Sequence, residues 1–226
     1  MKDFHAKDVD RLKNDNMWVL DFLENNEYNL KNAFKQFIET LEWRRNYGVN
    51  DITEDSIRMD YLLNNNILLH GRDLDGKLML TFLCKLYVRG SKNVEDLKKI
   101  MVYWIERGFR ESKNEKMTLI FDMSDTGMRN IDMDYTQTII NTFKNYYPNS
   151  LNWILVLEMP WIMNATFQII KKLLPKRAVE ILKFINKKSI CDYIDEDNRL
   201  ISWGGKDDYE FTFVSEKNTE PSSMVI

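Results

Sequence analysis

Two short runs constrain this chain more than any other feature: MTLIFDM at residues 117–123 and WILVLE at residues 153–158. Each is a brief, nearly continuous apolar stretch, the mark of a strand covered on both faces. Between them, MDYTQTIINTFKNYY spaces its apolar residues as a helix does and stops at Pro148. Strand, helix and strand in this order form a crossover unit, which predicts a mainly parallel α/β sheet.

The alternation extends in both directions. NILLHGRDLDGKLMLTFLC is two apolar runs around Asp75-Gly76, a hairpin or tight-turn signal. Next, Val94, Leu97, Ile100, Met101, Trp104 and Ile105 fall at helical spacing behind Asn93, a candidate cap. WIMNATFQIIKKLL reads as a helix, after which RAVEILKFIN and SICDYID alternate again. Up to about residue 60 the pattern is purely helical. Asn29 can cap a helix carrying Ala33, Phe34, Phe37, Ile38 and Leu41, and DNMWVLDFLENN reads as a shorter helix before it. The expected organisation is a small all-helical subdomain at 1–60, an α/β domain at 61–213 and a flexible tail at 214–226.

Composition removes several function classes. A net charge of −3, with acidic and basic residues nearly balanced, lacks the basic excess of a nucleic-acid binder. Cys84 and Cys191 lie far apart with no CxxC spacing, so no disulfide frame is expected and the chain reads as cytoplasmic. Only His5 and His70 are present, which makes a histidine-rich metal site improbable; no cofactor or metal is expected. LNWILVLEMPW contains Asn152 and Glu158 and is far shorter than the ~18–20 apolar residues a spanning helix requires, so no transmembrane segment is expected.

Three motifs suggest chemistry. GRDLDGKL formally matches a phosphate loop, but Leu78 stands where Ser or Thr would hold Mg²⁺, and Asp73 and Asp75 would repel phosphate; a turn is the better reading. Asp122 and Asp125 in FDMSDTG sit where α/β active sites often lie, yet their spacing of three misses the D-x-D pattern, and a turn accounts for them. Glu158 has no partner base or nucleophile nearby and is expected to bond backbone or a neighbour where its strand leaves the sheet. In WIMNATFQIIKKLLPKR, apolar residues precede a cluster of Lys171, Lys172, Lys176 and Arg177. That composition suits a core helix with solvated lysines and equally suits a helix that meets anionic lipid.

Taken together, five blocks in order resemble the CRAL-TRIO family of lipid-binding domains. They are the helical opening through LEWRR, HGRDLDGKLML, IFDMSDTG, YYPNSLNWILVLEMPWIMNATFQIIKKLLP and the closing SWGG at 202–205, covering roughly residues 10–212. The resemblance implies a non-enzymatic α/β domain enclosing an apolar cavity for one hydrophobic small molecule or phospholipid. A mobile gate helix at about 161–174 would close it, and the domain would associate peripherally with intracellular membranes. Three blocks, TGMRNIDMDY, IINTFKNYYP and EMPWIMNATF, resemble members in which a major sperm protein domain and a membrane anchor follow; this chain stops before either and is expected to be a short relative or a partial product. Phosphatidylinositol-transfer members carry Glu after the Tyr-Pro and Lys after the gate, where this chain has Asn149 and Ile181, while Arg177 fits a basic rim position.

The expected pocket residues are Phe82, Phe121, Met123, Leu155, Leu157, Met163, Phe167 and Ile170. Lys171, Lys172, Lys176 and Arg177 are the expected membrane or head-group contacts. Twelve Met and twelve Phe suit an adaptable apolar cavity and equally a plain core. An adaptor or membrane-contact module with a vestigial pocket, binding a protein partner, is the alternative.

Overall fold

A computed structural model describes residues 4–63 and 66–218. The N-terminal part is helical. Helices α1 (Ala6–Asn14), α2 (Asn16–Asn25) and α3 (Leu30–Tyr47) are capped by side chains of His5, Asp15 and Asn29. Asp15 and Asn29 accept from the amides of Trp18 and Asn32, satisfying donors that a helix start leaves free. Their small core is Trp18, Phe22, Ala33, Phe37 and Leu41, with Trp18 and Phe22 edge-on to Phe37 at 5.1 and 5.0 Å. The stripe of α3 passes through Phe37 and Leu41, and Phe34 faces outward.

Arg44 ties this subdomain to the rest. It is 3% exposed, donates to Asp8 at 2.8 Å, and clamps both carboxylate oxygens of Glu106 at 2.6 and 3.1 Å. The Tyr147 hydroxyl donates to the same Glu106 at 2.6 Å.

After α4 (Met59–Leu63) come strands β1 (Ile67–Arg72) and β2 (Leu78–Leu83), an antiparallel hairpin. The buried Asp73 folds its turn by accepting from the amides of Asp75 and Lys77 and the side chains of Thr118 and Asn152. GRDLDGK is therefore a hairpin turn. Helix α5 (Val94–Glu111), capped by Asn93, leads to β3 (Met117–Asp122). Helix α6 (Met133–Tyr146), capped by Asp132, leads to β4 (Leu151–Leu157). Helices α7 (Asn164–Leu173) and α8 (Lys176–Ile181) lead to β5 (Leu182–Ile185). RAVEILKFIN thus splits into a helical turn and a strand, and SICDYID makes a single 3₁₀ turn at Ile190–Asp192 where its alternation suggested a strand.

The sheet runs β1-β2-β3-β4-β5, with β2 to β5 parallel. Right-handed crossovers that all step in one direction put their helices on one face. That face carries the larger core, including Leu80, Phe82, Met117 and Leu119 from the strands, Trp104 from α5 and Ile139 from α6. The opposite face, with Met79, Ile120, Leu155, Leu157 and Ile185, is covered by Ile190, Ile194, Leu200 and Trp203 from the C-terminal segment. Both faces are therefore dry, as the continuous apolar runs require.

The C-terminal segment is pinned by the Trp203 indole, which donates to Asp122 at 2.8 Å, and by a 2.7 Å contact between His70 and Asp207. Gly204 takes a left-handed φ of 84°, and a Cβ on Gly205 would lie 2.1 Å from the Arg199 carbonyl oxygen. The paired glycines close this turn because Gly204 takes a backbone conformation that side chains disfavour and Gly205 has no room for one. The expected tail begins with a docked stretch: Arg107 donates to the Val214 carbonyl at 2.8 Å and Arg110 bridges Glu216 at 2.9 Å. Residues 219–226 lie outside the described residues. Among the described residues no helix is long and apolar enough to cross a membrane.

Candidate functional site

An apolar cavity of about 210 Å³ lies between β3 and β4 on one side and α6, α7 and α8 on the other. Leu119, Phe121, Ile154 and Val156 line it from the strands, Ile139 and Phe143 from α6, and Phe167 and Ile170 from α7. Engineered apolar cavities of roughly 150 Å³ stay dry and admit benzene, so this space suits an apolar guest.

Which strand residues reach the cavity depends on a bulge. Met117 pairs with Leu151 and Leu119 with Ile154, so three residues of β4 span two of β3. The extra residue turns Asn152 and Trp153 toward the Asp75 carboxylate, which they reach at 2.8 and 3.0 Å, and reverses the parity beyond them. Ile154 and Val156 thereby face the cavity, while Leu155 and Leu157 are wholly buried in the core on the opposite face. Leu155 and Leu157 are therefore not pocket residues. Phe82 lies on the cavity's face of the sheet but stacks on Phe121 at 5.3 Å within the core under α5, and it is not part of the wall.

Phe121, Met123, Met163, Phe167 and Ile170 do line the cavity. Of the basic residues, Arg177 reaches the wall, whereas Lys171, Lys172 and Lys176 point into solvent at the end of α7 and the start of α8. Sequence reading missed Ile154 and Val156, hidden by the bulge. It also missed Ile139 and Phe143, whose i, i+4 spacing on α6 was visible in IINTFKNYY but did not reveal which structure they would face.

The segment between Met159 and Leu182 forms the outer wall. Pro160 precedes it and Pro175 divides α7 from α8. Met163 is 1% exposed, but no residue of α7 is fully buried. Phe167 meets Phe184 edge-on at 4.5 Å. On the outside, Trp161 is 82% exposed, and Ile162, Ile169 and Phe184 are also open to solvent. Trp161, Ile162 and Ile169 thus present large apolar side chains to solvent on the segment that carries Lys171 and Lys172.

The two cavity ends differ. At the C-terminal end of the strands, Asn130 donates to the Tyr87 carbonyl at 2.6 Å, and the half-buried Cys84 has a thiol whose pKa is pushed up to about 12 by desolvation, keeping it protonated. At the other end Asn149, held at a left-handed φ of 56°, donates to Asp21 and Glu24 of α2 at 2.8 and 2.7 Å and accepts from Lys116 at 2.9 Å. Burial pushes the Asp21 carboxyl up to about 6, against the bond from Asn149 and the Lys116 charge. Arg177 pairs with Glu24 at 3.4 Å.

The remaining carboxylates are occupied structurally. Asp122 accepts from Trp203 and the Ser124 amide, and Asp125 is exposed in a turn beside Lys85. Glu158 accepts from the Lys187 amide at 2.8 Å while its own amide donates to Ile185, locking β4 to the end of β5 as the strand leaves the sheet. Among the described residues no group of three or more His, Cys, Asp or Glu could hold a metal ion.

A parallel-rich sheet with its helices on one face, and a partly enclosed apolar cavity beneath them, defines an α/β domain built around an apolar pocket. The family model for the CRAL/TRIO domain matches residues 64–205, and the chain belongs to that family. It is 26% identical over 217 residues to a CRAL-TRIO domain-containing protein of Schizosaccharomyces pombe, covering 91% of this chain and 49% of that one. It is 24% identical over 207 residues to the phosphatidylinositol transfer protein CSR1 of Eremothecium gossypii, covering 85% and 48%. A third relative, the Sec14 cytosolic factor of Schizosaccharomyces pombe, is 23% identical over 227 residues, covering 84% and 74%. The chain spans about half the length of the first and second of these relatives. The crystal structure of Sfh5 shares the fold, with a TM-score of 0.70 at 17% identity over 91% of this chain and 74% of that one.

Proposed function

We propose that this domain binds one lipid-like molecule in the cavity under α7 and exchanges it at a membrane surface, without chemistry on the ligand. The observation that carries this is a partly enclosed cavity with a mainly apolar wall, covered by a helix none of whose residues is fully buried. Burying a chain gains ~0.8 kcal/mol per CH₂, enough for a closed cavity to extract a molecule from a bilayer. Residues 161–174 act as the gate, hinged at Pro160 and Pro175. Trp161, Ile162 and Ile169 enter the interface, while Lys171, Lys172, Lys176 and Arg177 are drawn to anionic head groups.

Family membership and the phosphatidylinositol transfer protein among the relatives support binding or transfer of this general kind. On this reading residues 1–60 are a helical subdomain and residues 61–213 the lipid-binding domain, working in the cytoplasm at the periphery of intracellular membranes. The blocks TGMRNIDMDY, IINTFKNYYP and EMPWIMNATF further resemble the N-terminal domain of motile sperm domain-containing protein 2, and the cavity is the property we carry over from that likeness.

The test is transfer of a fluorescent lipid between vesicles containing anionic lipid. Lys171→Glu with Lys172→Glu should weaken vesicle association by roughly 30-fold and slow transfer accordingly, each lysine contributing about 1 kcal/mol of attraction to the surface. Unchanged transfer would remove the gate from this account. Absence of any transfer or bound lipid, with a protein partner captured instead, would favour the adaptor reading.

A further inference from the structure

A gate of the kind proposed above must stay shut between membranes, yet residues 160–180 are fastened to the rest of the molecule almost wholly by apolar contact. Met163 is buried and Phe167 meets Phe184 edge-on at 4.5 Å, but no residue of α7 or α8 is fully buried. Outside the helices and the sheet ladder, their backbone bonds stay within the segment, and Lys183 of the adjoining β5 reaches the Glu180 carbonyl at 3.1 Å. Among the described residues, the one polar side-chain contact from this segment to a more distant element is Arg177 to Glu24 of α2, at 3.4 Å.

Glu24 is held in place for that contact. Its Oε2 accepts both from Arg177 and, at 2.7 Å, from Asn149, whose side chain also donates to Asp21 at 2.8 Å and accepts from Lys116 at 2.9 Å. Asn149 lies just ahead of β4, so the start of a central strand aims the carboxylate. Arg177 stands two residues past Pro175, between α7 and the body of α8. Pinning it to α2 fixes the foot on which α7 swings, at the cavity end that Asn25, Asn149 and Arg177 line together.

The side chains of Arg177 and Glu24 are 44% and 30% exposed. A pair this open to water shifts an equilibrium by at most roughly fivefold, or about 1 kcal/mol. A competing anion can therefore break it. Lys171, Lys172 and Lys176 are exposed on either side of Pro175, so an anionic surface is drawn to this end and brings phosphates within reach of the guanidinium.

Resting on the lipid-exchange reading, we propose that Glu24 is a catch on the gate's C-terminal hinge: its pair with Arg177 holds α8 to the N-terminal subdomain, and an anionic membrane surface frees the gate by taking Arg177 from it.

Two measurements on the full chain test this. In hydrogen–deuterium exchange without vesicles, Glu24→Gln and Arg177→Gln should each speed exchange of the amides of 168–181 by roughly two- to fivefold. The double variant should gain no more than either alone, because both changes remove one interaction, and the amides of α5 should exchange as in the native protein. In transfer of pyrene-labelled phosphatidylcholine, Glu24→Gln should be faster than the native protein between pure phosphatidylcholine vesicles. Added phosphatidylserine should then accelerate the variant less than it accelerates the native protein. Unchanged exchange in both variants would overturn the catch, and so would faster exchange that extends through α5, which marks a general loss of stability. Faster exchange confined to 168–181 with an undiminished response to phosphatidylserine would overturn the membrane's part in releasing it. A native protein that transfers no probe under either condition, with the exchange differences present, would overturn the lipid-exchange reading and leave the tie between α2 and α8 standing.

Discussion

Arg44 shows how much a single side chain can hold together. Burial alone would lower its pKa, and the Glu106 carboxylate more than reverses that, so the guanidinium stays charged between Glu106 and Asp8. Arg44→Ala should cost ~3–5 kcal/mol in urea denaturation, because it leaves two carboxylates without their counter-charge in a dry site. A loss under 1 kcal/mol would mean that water replaces the guanidinium. Asp21 makes the opposite kind of statement. Its folded pKa of about 6 lies above the ordinary value of 3.8, so the folded state holds its proton more tightly than the unfolded one. Its contribution to stability is therefore present at low pH and is lost as pH rises through about 4 to 6. Asp21→Asn cannot ionise and should have a Tm close to the native protein's at pH 4 and above it at pH 7. Scanning calorimetry at the two pH values decides this, and a difference that does not change with pH would contradict the assignment.

At the scale of elements, the helices and strands follow from local pattern, but their faces do not. Asn29 and Asn93 cap α3 and α5 where the helical spacing begins, and the runs at 117–123 and 153–158 contain β3 and most of β4. The bulge at Asn152 and Trp153 exchanges the two faces of β4, and nothing in LNWILVLE announces it. It exists because those two side chains find the Asp75 carboxylate across the sheet edge, a partner 77 and 78 residues away. The closing SWGG is legible in reverse: its glycines become intelligible once the turn is seen to press Gly205 onto the Arg199 backbone. Gly205→Ala should destabilise by about 1–3 kcal/mol, read from the urea midpoint, since a backbone cannot swing aside as a side chain can. A neutral effect would show that the turn can relax.

At the scale of the molecule, the cavity is the space left between β3 and β4 and the helices α6, α7 and α8 that cross them. A side chain grown into it should occupy the space the ligand needs. Val156→Phe adds a ring to a wall position beside about 210 Å³ of free volume. In lipid-free protein it should leave Tm unchanged or raise it, by the equivalent of ~0.5–2 kcal/mol for a filled cavity, while abolishing the lipid adduct in native mass spectrometry. A variant that still binds lipid would place the ligand elsewhere.

Period and composition were enough to settle the helical opening, the parallel-rich sheet, the turn at Asp75-Gly76 and the apolar character of the 161–174 segment, because each depends on neighbours a few residues apart. Phe121, Met123, Met163, Phe167 and Ile170 line the wall, but period alone does not say which side of a doubly covered sheet faces the cavity. Only the tertiary structure decided that Ile154 and Val156, not Leu155 and Leu157, face the cavity, that Phe82 belongs to the core, and that Asp21 and Glu24 stand behind Asn149. Those outcomes rest on contacts between residues from 39 positions apart, for Phe82 with Phe121, to 128, for Asp21 with Asn149, and a bulge or a hydrogen bond at that range leaves no period in the chain that makes it.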